Sequence, residues 1–248
     1  PVFARRLQCR ANTGANERRL ADARWPHDAG ERQLPYTRDH ALHIATAWLP
    51  DETMTDWLRT FTLRPLVWHL AVPERVSWEE AGGFVEVFAT AHDALFTQAG
   101  LAPGERVLVQ GAAGGVGVAG VQLAHATGAS VVATVRAEEL RPRVAELGAD
   151  VRRPGDLDGL VFDVVLELVG GDNLAADLGM LATGGRMVVI GVGAGARVEI
   201  PFFELMRRRG RILASTLRSR PLEEKALVVR RLERHVLPLL GDGRVVVP

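Results

Sequence analysis

Positions 112–117 read Ala112-Ala113-Gly114-Gly115-Val116-Gly117, and an arginine, Arg136, stands a short distance further along the chain. Small residues spaced Ala-x-Gly-x-x-Gly suit one kind of chemistry. They clear side chains from a tight turn so that backbone N–H groups can approach a phosphate, and the last glycine lets a following helix lie close to the preceding strand. The helix then turns the positive end of its dipole towards the anion.

The flanking residues put this turn in context. "RVLVQ" (106–110) reads as a short buried strand, and the pattern after Gly114 is helical. A second frame, Gly115-x-Gly117-x-x-Gly120, has the same spacing but starts inside the helix and is set aside. The next apolar run, "SVVATVR", ends with Thr134 and Arg136 where proteins that bind NAD place an acid to hold the ribose hydroxyls. A carboxylate there would repel a 2′-phosphate and a guanidinium would grip it, so the expected cofactor is NADPH. The plainer reading of Arg136 is a solvated side chain at a strand end.

Strands and helices alternate through the rest of the chain. Strands are expected at 106–110, 130–135, 161–167, 186–191 and 211–216, with helices at 115–127, 138–147, 172–181, 202–209 and 221–238. Runs such as "FDVVLEL" and "RMVVIGV" are near-continuous in Val, Leu and Ile, as strands covered on both faces require. The fold class is therefore α/β, a doubly wound parallel Rossmann sheet over residues 101–248. Ahead of it, "SWEE" (77–80) is a capping box that starts a helix running through Leu95. Ligands of such sheets sit outside the carboxyl ends of the strands. "LVGG" (168–171) and "VIGVGAG" (189–195) reach that edge, so Val169, Gly170, Ile190, Gly191 and Val192 are expected to line the nicotinamide side, ordinary turn glycines being the alternative.

Composition narrows the partners. The 248 residues carry 30 basic and 30 acidic side chains, so no uniform field draws the molecule to nucleic acid or an anionic membrane. One cysteine, Cys9, permits neither an internal disulfide nor a multi-cysteine metal site, and His40 with His43 do not make one; no metal is expected. No apolar run reaches the roughly 18 residues of a membrane helix, the stretch "PVFARRLQCR" lacks the apolar core and small-residue cleavage site of a signal peptide, and a cytoplasmic protein is expected. "RRRGR" (207–211) fits a helix C-terminus better than a nucleic-acid patch. His125 and His235 are expected at the surface or as caps. Tyr36 is the single tyrosine, and no Tyr-x-x-x-Lys exists for short-chain dehydrogenase chemistry. Glu167 ends a buried strand with no reacting atom placed near it, so no catalytic acid is named.

Several separated segments together resemble a known family. "VPERVSWEEAGGFVEVFATAHDALF", "PGERVLVQGAAGGVGVAGVQLAHATGASVVATVR", "ELGAD" and "GGRMVVIGVGAGARVEI" with "LMRRRGRILASTLRSRPLEEK" are similar to the zinc-free quinone oxidoreductase branch of the medium-chain dehydrogenase/reductase superfamily. The tail is similar to the tumour-suppressor-inducible type and its bacterial relatives, and the match runs over residues 70–248. The resemblance implies metal-free hydride transfer from NADPH to a quinone or other electron-poor enone. It also implies that Thr90 lies beside the nicotinamide, that Ala113, Gly114, Gly115 and Val116 hold the pyrophosphate, and that Arg136 takes the 2′-phosphate. Relatives often carry a lysine where Leu140 stands, which puts more of that grip on Arg136 and Arg141. A homodimer built on sheet edges is implied, with "ARVEI" (196–200) as an edge strand. Residues 1–100 correspond to a reduced or diverged GroES-like region, of which 1–70 show no recognisable pattern. Two further readings stay open: a non-catalytic NADPH-binding protein, and an enoyl-thioester reductase.

Overall fold

The structure, a computed structural model, describes residue 73 and residues 76–247. The expectations for residues 1–70, including Cys9, Tyr36, His40 and His43, lie outside the described residues. Ser77 and Glu80 form the capping box: the Glu80 amide donates to Ser77 Oγ at 3.2 Å and the Ser77 amide to Glu80 Oε2 at 2.7 Å. They open helix α1 (Trp78–His92), which passes into a π-helical turn at Asp93–Gln98.

Six strands follow: β1 (Arg106–Val109), β2 (Ser130–Thr134), β3 (Ala149–Arg152), β4 (Phe162–Glu167), β5 (Leu181–Val189) and β6 (Arg211–Ala214). They form one sheet in the order β3-β2-β1-β4-β5-β6, every neighbouring pair parallel. The strand order reverses between β1 and β4, which opens a crevice at their carboxyl ends. Side chains alternate across the sheet. Val107, Val109, Val164 and Leu166 enter a core with Phe84 and Phe88 of α1 and Leu95 of the π-helical turn. Leu108, Val165 and Met187 enter a second core on the opposite face, with Leu174 and Leu178.

The helices are α2 (Gly115–Ala126), α3 (Arg141–Ala145, after a 3₁₀ turn at Glu138–Leu140), α4 (Asn173–Gly179), α5 (Phe202–Arg208), α6 (Leu222–His235) and α7 (Leu237–Gly241). Among the described residues no helix is long and apolar enough to cross a membrane.

The elements differ from the sequence expectation where local pattern is weak. β3 was not expected: "ADVR" alternates half-buried and exposed residues, as an edge strand does, and only its ladder with β2 defines it. β5 starts at Leu181 rather than 186, because a register irregularity between Phe162 and Val164 lets Leu181 pair with Phe162 through a glycine-rich stretch that reads as a turn. Pro142 stands at the start of α3 and Pro238 at the start of α7, and each divides a stretch expected as one helix. Residues 196–200, expected as an edge strand, carry no strand in the single chain. His125 is exposed as expected. His235 is not a plain surface or cap residue: it is half-buried, and its Nδ1 lies 3.1 Å from Nε2 of the buried His92 across the α1–α6 seam.

Candidate functional site

The turn between β1 and α2 is built almost wholly of backbone. Gly111 has φ +68°, a conformation that favours glycine, and a Cβ there would come within 2.9 Å of Val169 Cγ2. At Gly117 a Cβ would lie 2.6 Å from Ala112 Cα and 2.8 Å from Gly111 O, so the first turn of α2 rests directly on the preceding loop. Gly115 meets Val87 of α1 in the same way, at 2.8 Å, and Gly120 meets Leu166 of β4 at 2.7 Å. The glycines of the two reading frames serve different contacts: Gly117 meets the backbone of the turn, Gly115 and Gly120 seat the helix against side chains of α1 and β4, and a Cβ on Gly114 would have room.

Gly114 is the N-cap of α2, with extended backbone and no side chain to cap the helix, and the first turn holds no acidic residue. The leading amides of α2 therefore have neither an intrahelical acceptor nor a capping oxygen. An anion suits that position, and a pyrophosphate fits the small residues Ala113 to Gly117 around it.

Thr134 lies beneath this turn rather than on its surface. It is buried, its Oγ1 donates to Gln110 Oε1 at 2.5 Å, and the same oxygen accepts the Gly111 amide at 3.2 Å. Arg136, two residues on, is exposed, and its guanidinium has no hydrogen bond or ion pair among the described residues. Arg141 is engaged: its Nε donates to Val135 O at 3.1 Å and its Nη2 to Arg136 O at 3.0 Å, which holds the backbone under Arg136 in place. Glu138, beyond the strand, faces Arg153 at 3.7 Å.

The loops after β4 and β5 are laced together. Ala194 N donates to Val169 O, Gly171 N to Gly195 O, and Ile190 N to Glu167 O. A Cβ on Gly191 would fall 2.2 Å from Leu168 O, and one on Gly170 2.6 Å from Val192 Cα. Val169, Gly170, Ile190, Gly191 and Val192 therefore form one double loop, and Gly111 touches it through Val169. Thr90 is half-buried on α1, one helical turn from the Val87 that packs on Gly115.

Sequence reasoning left Glu167 without a partner. Its Oε1 accepts the amides of Val169 and Gly170, the latter at 2.8 Å. Its Oε2 and Oδ2 of the neighbouring Asp177 on α4 are buried without a hydrogen-bond partner, while Asp177 Oδ1 accepts Gln110 Nε2 at 2.7 Å. Burial first, then the side chain of Glu167 beside it, pushes the Asp177 carboxyl up to about 8. The signal lay in the buried position of Glu167; its partner ten residues on cannot be read from local pattern.

"RRRGR" is largely occupied: Arg207 pairs with Glu204 at 2.7 Å, Arg208 donates to the carbonyls of Leu181 and Gly179, and Arg209 closes α5 in the left-handed region. Among the described residues no group of three or more His, Cys, Asp or Glu side chains could hold a metal ion.

Comparison with known proteins agrees with this architecture. Residues 115–234 match the family described as zinc-binding dehydrogenase. Human quinone oxidoreductase is 32% identical over 164 residues, covering 62% of this chain and 49% of that protein. The quinone oxidoreductase of Thermus thermophilus, whose structures include a complex with NADPH, is 37% identical with a TM-score of 0.63, over 72% of this chain and 59% of that one. The CurK enoyl reductase superposes with a TM-score of 0.62 at 27% identity, over 72% of this chain and 56% of that one. The chain spans about half the length of the curated relatives it matches. With its sheet order, its glycine turn and these likenesses, the chain contains a segment similar to the quinone oxidoreductases of the medium-chain dehydrogenase/reductase superfamily.

Proposed function

We propose that the chain is an NADPH-dependent oxidoreductase that delivers a hydride to a quinone or another electron-poor enone. One observation carries this reading: a helix N-terminus with no capping side chain stands over a side-chain-free turn at the reversal of strand order, and the uncommitted guanidinium of Arg136 ends the neighbouring strand. Ala113 to Gly117 hold the pyrophosphate and Arg136 holds the 2′-phosphate. Thr134 supports the turn from below. Thr90 and the double loop of Val169, Gly170, Ile190, Gly191 and Val192 orient the nicotinamide, whose C4 hydride is the chemistry the cofactor supplies. The chain's own task is to fix the distance and angle of that transfer and to keep water from the ring. No described side chain is assigned as the proton donor; the reduced oxygen takes its proton from solvent.

The likeness to an enoyl reductase favours a second reading, an enoyl-thioester substrate on the same nucleotide half. Reaction of the purified protein with NADPH against a panel of quinones and against crotonyl thioesters separates the two. Quinone consumption without thioester consumption is expected. Thioester turnover alone selects the second reading, and enhanced cofactor fluorescence with no turnover of either selects a binding protein.

The open edge of β6 and the exposed Phe202, Phe203 and Met206 of α5 nearby support a homodimer, expected as twice the monomer mass in light scattering. The reading also places the protein in the cytoplasm.

A further inference from the structure

We infer that Glu167, acting through Asp177, Gln110 and Thr134, is a positioning residue that ties the phosphate turn to the loop after β4 by way of a single shared proton. The inference rests on the nucleotide-site reading above and adds a device to it.

The bonds form one continuous path. The Gly111 amide, in the turn, donates to Thr134 Oγ1, whose hydroxyl donates to Gln110 Oε1. The other half of that amide, Nε2, donates to Asp177 Oδ1. Between the neighbouring carboxyls of Asp177 and Glu167 the shared proton is the inferred link, and Glu167 Oε1 receives the amides of Val169 and Gly170. Both carboxyls are fully buried, and Gln110 and Thr134 are nearly so. The path therefore joins the ends of β1, β2 and β4 to α4, and the two backbone segments it ends on are those assigned to the pyrophosphate and the nicotinamide side.

Two carboxylates cannot share such a place while both are ionised. Glu167 Oε2 and Asp177 Oδ2 have no hydrogen-bond partner among the described residues, and a proton held between the two carboxyls would satisfy both. Among the described residues no cation is bonded to either carboxyl. Arg186 on β5 is spent on Glu105, and Arg208 on α5 is spent on the carbonyls of Gly179 and Leu181. On the remaining sides the pair meets Gln110 and Thr134, neither of which is charged. Losing the proton would set two negative charges against each other and slacken the links at both ends of the path.

The test uses the full-length protein, its Asp177→Asn variant and its Glu167→Gln variant. An asparagine keeps Oδ1 for Gln110 and offers a permanent N–H where the proton stood; a glutamine at 167 does the same from the other side. Dissociation constants for NADPH and NADH are measured from about pH 7 to about pH 9.5, where Arg136 stays charged and a phosphate of second pKa near 6 is already ionised. Wild-type affinity for both nucleotides is expected to fall by about tenfold over that range, the loss of one hydrogen bond's worth of order, while Asp177→Asn stays within about twofold of its neutral value.

In parallel, the amide resonances of Gly111, Val169 and Gly170 in the nucleotide-free protein are expected to titrate together in wild type and to stay still in the variant. Should Asp177→Asn fail to fold, Glu167→Gln carries the same comparison. A flat wild-type profile, a variant profile parallel to wild type, or amides at the two ends that titrate apart would overturn the brace. If no nucleotide binds at any pH, the nucleotide-site reading fails by itself, and the amide titration still decides whether the brace exists.

Discussion

The two ends of this sheet are held by opposite chemistry. At the amino ends of the strands, Arg186 of β5 is 8% exposed and meets Glu105 through both carboxylate oxygens, at 2.6 and 2.7 Å, while donating to the carbonyls of Ala99 and Gly100. Glu105 accepts the Ala102 amide as well, so a full ion pair gathers the loops at that end. At the carboxyl ends, among the described residues, no cation is bonded to the buried carboxyls: Asp177 accepts from Gln110, Glu167 from two backbone amides, and the uncommitted guanidinium of Arg136 stands outside in solvent. The proposed function accounts for the difference. An end that only closes the fold can keep a permanent internal counter-ion. An end that receives a polyanion does better with its amides and its cation left for the ligand, and its own carboxyls must then be quieted by a proton.

Arg186→Ala tests the first half of this contrast and carries the largest expected effect. Removing one partner of a buried pair leaves Glu105 and two carbonyls short of donors, at a cost of about 3–5 kcal/mol. Urea unfolding should show that loss, while NADPH affinity, measured where the variant is still folded, should stay within about twofold. A variant that loses affinity in step with stability would show that the two ends are not separable.

Arg136→Glu tests the other half. The side chain is exposed and unbonded, so the stability of the fold should hardly move. NADPH affinity is expected to drop by roughly 10–100-fold, the worth of a charged hydrogen bond and its reversal, while NADH affinity changes little. Equal weakening of both nucleotides in fluorescence titration would remove Arg136 from the 2′-phosphate.

Gly117→Ala should move both quantities by smaller amounts. In an ordinary helix this change is favourable by about 1 kcal/mol. Here the new Cβ would stand 2.6–2.8 Å from backbone atoms of Ala112 and Gly111, and the turn must shift to admit it. A loss of about 1–3 kcal/mol in stability is expected, with weaker binding of both nucleotides. A stabilised variant with unchanged binding would mean that the helix and turn are not in close register.

The sequence made the layout of the sheet legible because strands buried on both faces leave unbroken Val and Leu runs, and because Gly117 and Gly111 mark where backbone meets backbone. β3 escaped notice since an edge strand of four residues, two of them charged, owes its existence to its neighbour. The start of β5 was hidden behind Gly184 and Gly185, which read as a turn until the register with Phe162 is known. Arg136 could be singled out from its distance to the glycines along the chain alone. Thr134 was placed at the right strand end, yet the direction of its hydroxyl depends on Gln110, which no local rule supplies. Glu167 and Asp177 show the same limit: each is an ordinary acid in its own stretch and becomes informative only when the fold closes.

The helical layer offers a third arrangement, two groups with no charge at all, and the smallest prediction concerns its pH response. His92 and His235 face each other between α1 and α6; burial chiefly, then the neighbouring His235 and Arg231, takes His92 down to about 3, and burial, then Arg234 and Arg231, takes His235 down to about 4. Both are neutral in the folded chain, whereas the unfolded chain binds their protons below its ordinary value near 6.5. Stability from this pair is therefore complete above that value and is lost as pH falls through about 4 and 3, by at most about 1.4 kcal/mol per pH unit for each group. Asp177 works in the opposite sense: raised to about 8, it keeps a proton the unfolded chain releases, so its contribution is complete below about 4 and is lost as pH rises towards 8. Between about 4 and 6.5 the two slopes oppose each other. Measured as urea midpoints across that window, Asp177→Asn should lose stability more steeply on acidification than wild type does, and His235→Gln less steeply. If neither substitution changes the slope, the histidine seam and the carboxyl pair are not the protonation sites that govern the acid limb.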